Sequence, residues 1–473
     1  MSNLLPTDYQ SFIHQSRYAK YIDGKGRESW AETVGRYVDN VVRPKLGNDS
    51  WVNQIEQAIL NLDVMPSMRA MMTSGAALDR DNTAGYNCSY LPVDDPKSFD
   101  EAMFILLCGT GVGFSVERQF IQQLPEVPEL FDSETTVVVR DSKEGWAKAY
   151  RQILALLWAG EIPKWNVSRV RPQGARLKTF GGRASGPAPL VELFNFTVQT
   201  FKNAQGRKLS SMECHDLMCF IGQIVVSGGV RRSAMISLSN LSDDRMRHAK
   251  SGQWWETAAH RALANNSVSY TEKPDIETFM REWTALIESK SGERGIFNRE
   301  ASKKQAAKYG RRDPNHEFGT NPCSEIILRP YQFCNLTEVV VRATDTIKDL
   351  ERKVKLATIL GTIQSSYTKF PYLRKVWQRN TEEERLLGVS LTGIMDNQLM
   401  TTENHKLAGV LDGLRNVAVD TNAEYAALLD IPASAAITCV KPSGTVSQLV
   451  DSASGIHARH SPYYIRTVRG DNK

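Results

Sequence analysis

The most constraining stretch of the chain is Gly319-Thr320-Asn321-Pro322-Cys323-Ser324-Glu325-Ile326, followed shortly by Phe333-Cys334-Asn335-Leu336. Pro322 disfavours helix for Asn321 before it, and the flanking apolar runs read as strands. In an extended chain alternate side chains share a side, so Asn321, Cys323 and Glu325 are expected to point the same way. An amide, a thiol and a carboxylate would then sit at the tip of a short loop inserted into a cavity. Cys334 falls on the next strand. Free cysteine is also among the most buried residue types, and spacing alone leaves both readings of the two cysteines open.

Asn-Pro-Cys-x-Glu-Ile with a downstream Cys-Asn-Leu resembles the finger loop of ribonucleotide reductases. Other matching segments run from about residue 15 to the end, and the chain most resembles the monomeric, adenosylcobalamin-dependent (class II) branch. Tyr18-Ala19-Lys20, Ser29-Trp30-Ala31-Glu32-Thr33-Val34 and Met65-Pro66-Ser67-Met68-Arg69 resemble the opening of that branch. The resemblance implies an α/β fold: a ten-stranded barrel of two five-stranded half-barrels around a central finger loop. A small helical region, 1–80, would precede the barrel, 81–473, with no ATP cone. Family members continue past the equivalent of Lys473, so the second half is expected to be short or completed by a separate piece.

The same resemblance implies roles. Cys323 would carry a thiyl radical, Glu325 act as general base and Asn321 hold the sugar, while Cys88 and Cys334 form the reducing pair. Ser443, Gly444, Thr445, Val446 and Ser447 would bind the substrate's phosphates. Loops at Ser185-Gly186 and at Gly228, Gly229, Arg231 and Arg232 are candidate nucleotide contacts. Implied partners are a ribonucleoside di- or triphosphate, a deoxynucleotide or ATP effector, and a thioredoxin- or glutaredoxin-type reductant. The span from Cys88 to Cys323 is short for the monomeric cobalamin-dependent branch. The insertion that mimics a dimer partner there is therefore expected to be reduced or absent. A metal-containing, ferritin-like radical subunit, as in class I, is the alternative radical source to adenosylcobalamin.

Bulk properties agree with an enzyme of small molecules. The 473 residues are 41% hydrophobic and 23% charged, ordinary for a globular protein. A net charge of +5 from 58 basic and 53 acidic residues is too slight to mark a nucleic-acid binder. No apolar run is long enough to span a bilayer and no signal peptide opens the chain, so a cytoplasmic location (host cytoplasm for a viral protein) is expected. Seven cysteines at irregular spacings favour reduced thiols over a disulfide framework.

Apolar spacings of three and four predict helices over 30–42 and 51–62. Thr83–Tyr90 reads as strand-like around Cys88. A helix over 99–107 precedes Gly109, Gly111 and Gly113, which rules out a dinucleotide fingerprint, since that needs strand before glycines. A close backbone approach is expected instead, with Cys108 structural. Thr135–Val139 reads as a strand and Asp141 or Ser142 as the cap of the next helix. Ser185-Gly186-Pro187 before a helix suits either an anion or a plain tight loop.

Cys214-His215-Asp216-x-x-Cys219 invites a metal reading, but two cysteines five apart on a helix share no face and no further pair completes four ligands. No metal site is expected. Ile224–Val226 reads as a strand breaking at Gly228-Gly229, ahead of two arginines suited to phosphate. Strands are expected at 338–341 and 385–393, and helices over 348–367 and 421–429. At Ile437–Ser447 a strand is expected to end in a Pro/Gly turn, with hydroxyl residues capping the next helix and backbone N–H groups cradling a phosphate.

Two other classes are open. A non-catalytic nucleotide-binding homologue would lose a thiol or the carboxylate, whereas Cys88, Cys323, Glu325 and Cys334 are all present. A cysteine hydrolase would need a histidine base, and none of the eight histidines has a context marking it as one.

Overall fold

The computed structural model describes residues 5–22, 24–47, 50–175, 183–227, 234–402, 406–465 and 467. It divides into two compact units: 1–87 with 333–370 and 378–473, and 88–332 with 371–377.

The second unit is built on five strands, Cys88–Pro92, Gly111–Ser115, Met235–Asn240, Ala264–Tyr270 and Gly295–Asn298. All neighbours are parallel, and spatial order follows chain order. Parallel strands need crossovers, and helices Lys97–Leu107, Ser211–Ser227 and Ile276–Ser289 serve three of them. Adding each strand on the same side winds the sheet in one direction, as a half-barrel requires. Between the second and third strands lies a separate parallel pair, Phe131–Val138 with Glu161–Asn166. Helices Lys143–Trp158 and Ala188–Asn203 flank it. Ser142 caps the first of these by accepting from the Gly145 N–H at 2.9 Å.

The last strand of the half-barrel leads into helix Arg299–Ala307 and then the hairpin Gly319–Thr320 with Ile327–Leu328. Its close seating depends on glycine. A Cβ on Gly113 would lie 1.8 Å from the Thr320 carbonyl oxygen, and one on Gly319 would lie 2.1 Å from the Tyr90 ring. The alternating glycines therefore serve the close backbone approach expected of them.

In the first unit, helix Asp8–Arg17 is followed by helix Trp30–Tyr37, started by a capping box between Ser29 and Glu32 and prolonged through Val42. Trp30, Val34, Tyr37, Val38, Val41 and Val42 are all buried in one core with Ile55 and Ile59 of helix Ser50–Leu60. The same core takes Leu356, Ile359, Leu360 and Ile363 from helix Ile347–Ser365, and Leu414 and Ala418 from Lys406–Leu428. Strand Gln332–Val340, all but its first residue in this unit, pairs parallel with Leu387–Thr392 and antiparallel with Val64–Met65. Next to Leu387–Thr392 only a single parallel bridge, Val389 with Thr438, forms. Among the described residues this sheet of the first unit thus has three strands, fewer than a five-stranded half, and the short pair Tyr21–Ile22 with Gly26–Arg27 is separate from it.

Two local expectations fail. Ile224–Val226 is not a strand but the last turns of helix Ser211–Ser227. Ile224 and Val225 are buried along with Cys214, Leu217, Met218 and Ile221, so packing overrides β-branched propensity. Ile437–Val440 makes one bridge rather than a strand, and its continuation is the short helix Gly444–Val450.

Candidate active site

The finger residues are not in an extended chain. The Ser324 N–H donates to the Asn321 carbonyl at 2.9 Å, and Ser324 adopts a left-handed φ of 62°. The alternation argument for Asn321, Cys323 and Glu325 therefore does not hold. A tight turn brings groups together by hydrogen bonding instead. Asn321 is fully buried, and its Oδ1 accepts from the Ile326 N–H at 3.0 Å. That bond fixes the amide orientation and aims both Nδ2 hydrogens inward. One meets Glu325 Oε2 at 2.5 Å and the other Cys88 Sγ at 3.3 Å. Thr320 Oγ1 donates to the Ile326 carbonyl at 3.0 Å, closing the turn. Cys323 stands exposed at the tip, whereas Cys88 is buried. Asn321, Glu325, Cys88 and the Cys323 turn are thus assembled within the second unit.

Cys334 belongs to the first unit, fully buried in strand Gln332–Val340. Its carbonyl accepts from the Asn87 N–H at 3.3 Å. The adjoining Asn335 donates to the Leu386 carbonyl and accepts from Gln364 Nε2, both at 3.0 Å.

The 443–447 loop also lies in the first unit. Ser443 does not cap the following helix; its hydroxyl donates to the buried carboxylate of Glu338, and Ser447 Oγ donates to the Gly444 carbonyl at 3.1 Å. The Lys441 N–H is held by Ser390 Oγ at 3.1 Å. Gly444 is exposed, and a Cβ there would meet nothing within 4 Å. The backbone at the helix start is thus open, while Glu338 and Ser390 hold the loop through Ser443 and Lys441. Sequence reasoning missed Glu338: its only sign was an acidic residue amid a run of apolar strand positions.

Ser185 and Gly186 close a tight loop. Gly186 has φ 76°, and a Cβ on it would come 3.0 Å from the Gln173 nitrogen. Gly174 and Ala184 are joined by an N–H to carbonyl bond of 2.8 Å. Gly228, Gly229, Arg231 and Arg232 lie outside the described residues.

Cys214, His215 and Cys219 are all fully buried on their helix. His215 Nε2 lies 3.0 Å from Asn266 Oδ1, and Asp216 takes a two-pronged bond from Arg261 at 2.8 Å each. Burial opposes charge on Asp216, but Arg261, His215 and His260 together hold its carboxyl well below the usual range. Burial pushes the Cys214 thiol up. Among the described residues, no three or more of His, Cys, Asp and Glu are grouped to hold a metal ion, and no helix is long and apolar enough to cross a membrane.

A family model described as the insertion domain of B12-dependent ribonucleotide reductase matches residues 118–200. The insertion expected to be reduced or absent is therefore present, as the parallel pair and two helices between the second and third half-barrel strands. An adenosylcobalamin-dependent ribonucleoside-triphosphate reductase of Lactobacillus gasseri is 26% identical over 96% of this chain and 74% of its own length. The protein of the same name from Lactobacillus leichmannii is 27% identical with the same coverages. A B-12 dependent (class II) ribonucleotide reductase crystal structure superposes with a TM-score of 0.80 at 23% identity, covering 94% of this chain and 74% of that one. A class Id reductase alpha subunit from Actinobacillus ureae gives 0.58 at 12% identity, covering 98% and 77%. Along nearly its whole length the chain is thus similar to adenosylcobalamin-dependent ribonucleoside-triphosphate reductases, and its fold is that of a class II ribonucleotide reductase.

Proposed function

We propose that this protein reduces ribonucleoside triphosphates to 2′-deoxyribonucleotides by thiyl-radical chemistry with adenosylcobalamin. The observation that carries the proposal is the Asn321 amide bridging Glu325 and Cys88 beneath the exposed Cys323. The relatives' shared name supports the triphosphate and the cofactor, and the insertion at 118–200 favours this radical source over a separate ferritin-like subunit.

Hydroxide leaves a ribose poorly, so the 2′ carbon must be activated before it is reduced. Cys323 as a thiyl radical takes the 3′ hydrogen, and Glu325 removes the proton of the 3′ hydroxyl as general base. Asn321 orients both Glu325 and Cys88. The 2′ oxygen leaves as water with a proton from Cys88 or Cys334, and these two thiols supply two electrons as they become a disulfide. Cys323 then returns hydrogen to 3′. An external thiol, of thioredoxin or glutaredoxin type, resets the pair by exchange.

Exposure of Cys323 fits a radical donor that reaches the thiol from outside the turn; no other described residue is assigned to it. When bound, adenosylcobalamin supplies the unpaired electron that Cys323 holds. The 443–447 loop takes the substrate's phosphates, with Glu338 setting its shape. Ser185-Gly186 and the 228–232 segment are proposed nucleotide-site loops, for substrate or for a deoxynucleotide or ATP effector.

The test is anaerobic incubation of a ribonucleoside triphosphate with dithiothreitol, with and without adenosylcobalamin. Deoxyribonucleotide that forms only with the cofactor is expected. Product at the same rate without it would overturn the radical source, and no product in either arm would count against the reductase reading.

A further inference from the structure

The hairpin that carries Cys323 is held together by only two residue pairs, Gly319 with Leu328 and Thr320 with Ile327. Two-stranded hairpins that short are marginal by themselves, yet a radical-bearing thiol must be held to a fraction of an ångström. Two buried arginines of the second unit reach the two legs. Arg299, fully buried at the start of its helix, donates Nε to the Phe318 carbonyl at 2.8 Å, one residue before the first leg. Its other two nitrogens grip the fully buried carboxylate of Glu117 at 2.9 and 2.6 Å. Arg312, almost as buried, donates Nη1 to the Ile327 carbonyl in the second leg at 2.9 Å. Its Nη2 lies 3.3 Å from Oε1 of Gln332, and that oxygen also accepts from the Arg329 N–H at 2.9 Å. The Arg312 guanidinium lies over the Phe318 ring, 4.8 Å from its centre, so Phe318 is held by its carbonyl from one arginine and by its ring from the other.

We propose that Arg299 and Arg312 are positioning residues that clamp the two legs of the hairpin and thereby fix where Cys323 is presented. Neither touches the reacting atoms. A planar fork suits the task better than lysine, because each arginine must serve two acceptors at once. Arg299 is anchored at Glu117, immediately past the Gly111–Ser115 strand, so the hairpin is referenced to the half-barrel sheet. The catalytic consequence rests on the reductase reading; the clamp itself does not.

Arg312→Gln and Arg312→Lys test it. A displacement of about 1 Å can cost on the order of 10²-fold in rate. Arg312→Gln is expected to lower kcat by about that much with KM for the nucleotide nearly unchanged, and Arg312→Lys to fall between it and the unsubstituted chain. Amide hydrogen exchange across 319–328 is expected to quicken in Arg312→Gln while the five half-barrel strands keep their protection. The proposal is overturned if exchange in the hairpin is unchanged, or if it rises equally throughout the unit, which marks general destabilisation. Exchange needs no turnover, so it decides the clamp even where no ribonucleotide is reduced. Arg299→Lys is a supporting variant, and Arg312 decides the matter where Arg299→Lys does not fold.

Discussion

The second unit holds two cysteine-bearing acidic motifs whose sequences look equally suggestive and whose structures differ. Cys323-Ser324-Glu325 sits on a hairpin turn with the thiol exposed and the carboxylate tied to a buried amide. Cys214-His215-Asp216 with Cys219 sits on a long helix, every thiol buried and the carboxylate committed to Arg261. The thiol at the hairpin turn is open to an approaching reactant, whereas Cys214 and Cys219 are enclosed on their helix beside a carboxylate already committed to Arg261. The lesson is that residue type suggests a site, and backbone placement decides it.

Substitution of the two thiols is the strongest way to break this contrast. Cys323→Ser should abolish deoxyribonucleotide formation, a loss of more than about 10³-fold, with an unchanged melting temperature. Cys219→Ala should keep kcat within about twofold while lowering stability by about 1 kcal/mol, as expected for a small core truncation. Glu325→Gln comes next. Removing a general base typically costs about 10²- to 10⁴-fold, so steady-state kinetics should show kcat falling with KM little moved and folding intact.

Asp216→Asn should show the opposite pattern. It strands Arg261 beside a neutral amide in a partly buried pair, and losing hydrogen bonds to a charged group costs about 1.5–3 kcal/mol, which denaturant unfolding would register. Its kcat per folded molecule should be unchanged. The smallest effect is in the acid limb of stability. Asp216 titrates lower folded than unfolded, so its contribution is fully present above the ordinary aspartate range near pH 4 and is lost as pH falls below it. Unfolding measured from pH 6 down to pH 3 should be flatter in Asp216→Asn than in the unsubstituted chain.

Much of this was legible in the residues, and the misses have physical causes. The helices at 30–42 and 51–62 were readable because their apolar residues recur on one face and that face is the core. The finger motif was readable as chemistry, but its geometry was not. Alternation assumes an extended backbone, and Ser324 turns the chain instead. Ile224–Val226 misled because β-branched propensity is weak against the burial of a whole helix face. The half-barrel's strand order depends on long-range pairing that no local pattern encodes. Glu338 was invisible for a related reason: an isolated acid in a strand becomes informative only once Ser443 is seen against it.

The most direct measurement is anaerobic turnover of a ribonucleoside triphosphate, with adenosylcobalamin and dithiothreitol, by the unsubstituted chain and by Cys323→Ser side by side. Deoxyribonucleotide from the first and none from the second is the predicted result. Equal product from both would contradict the assignment of the radical to the thiol at the hairpin tip.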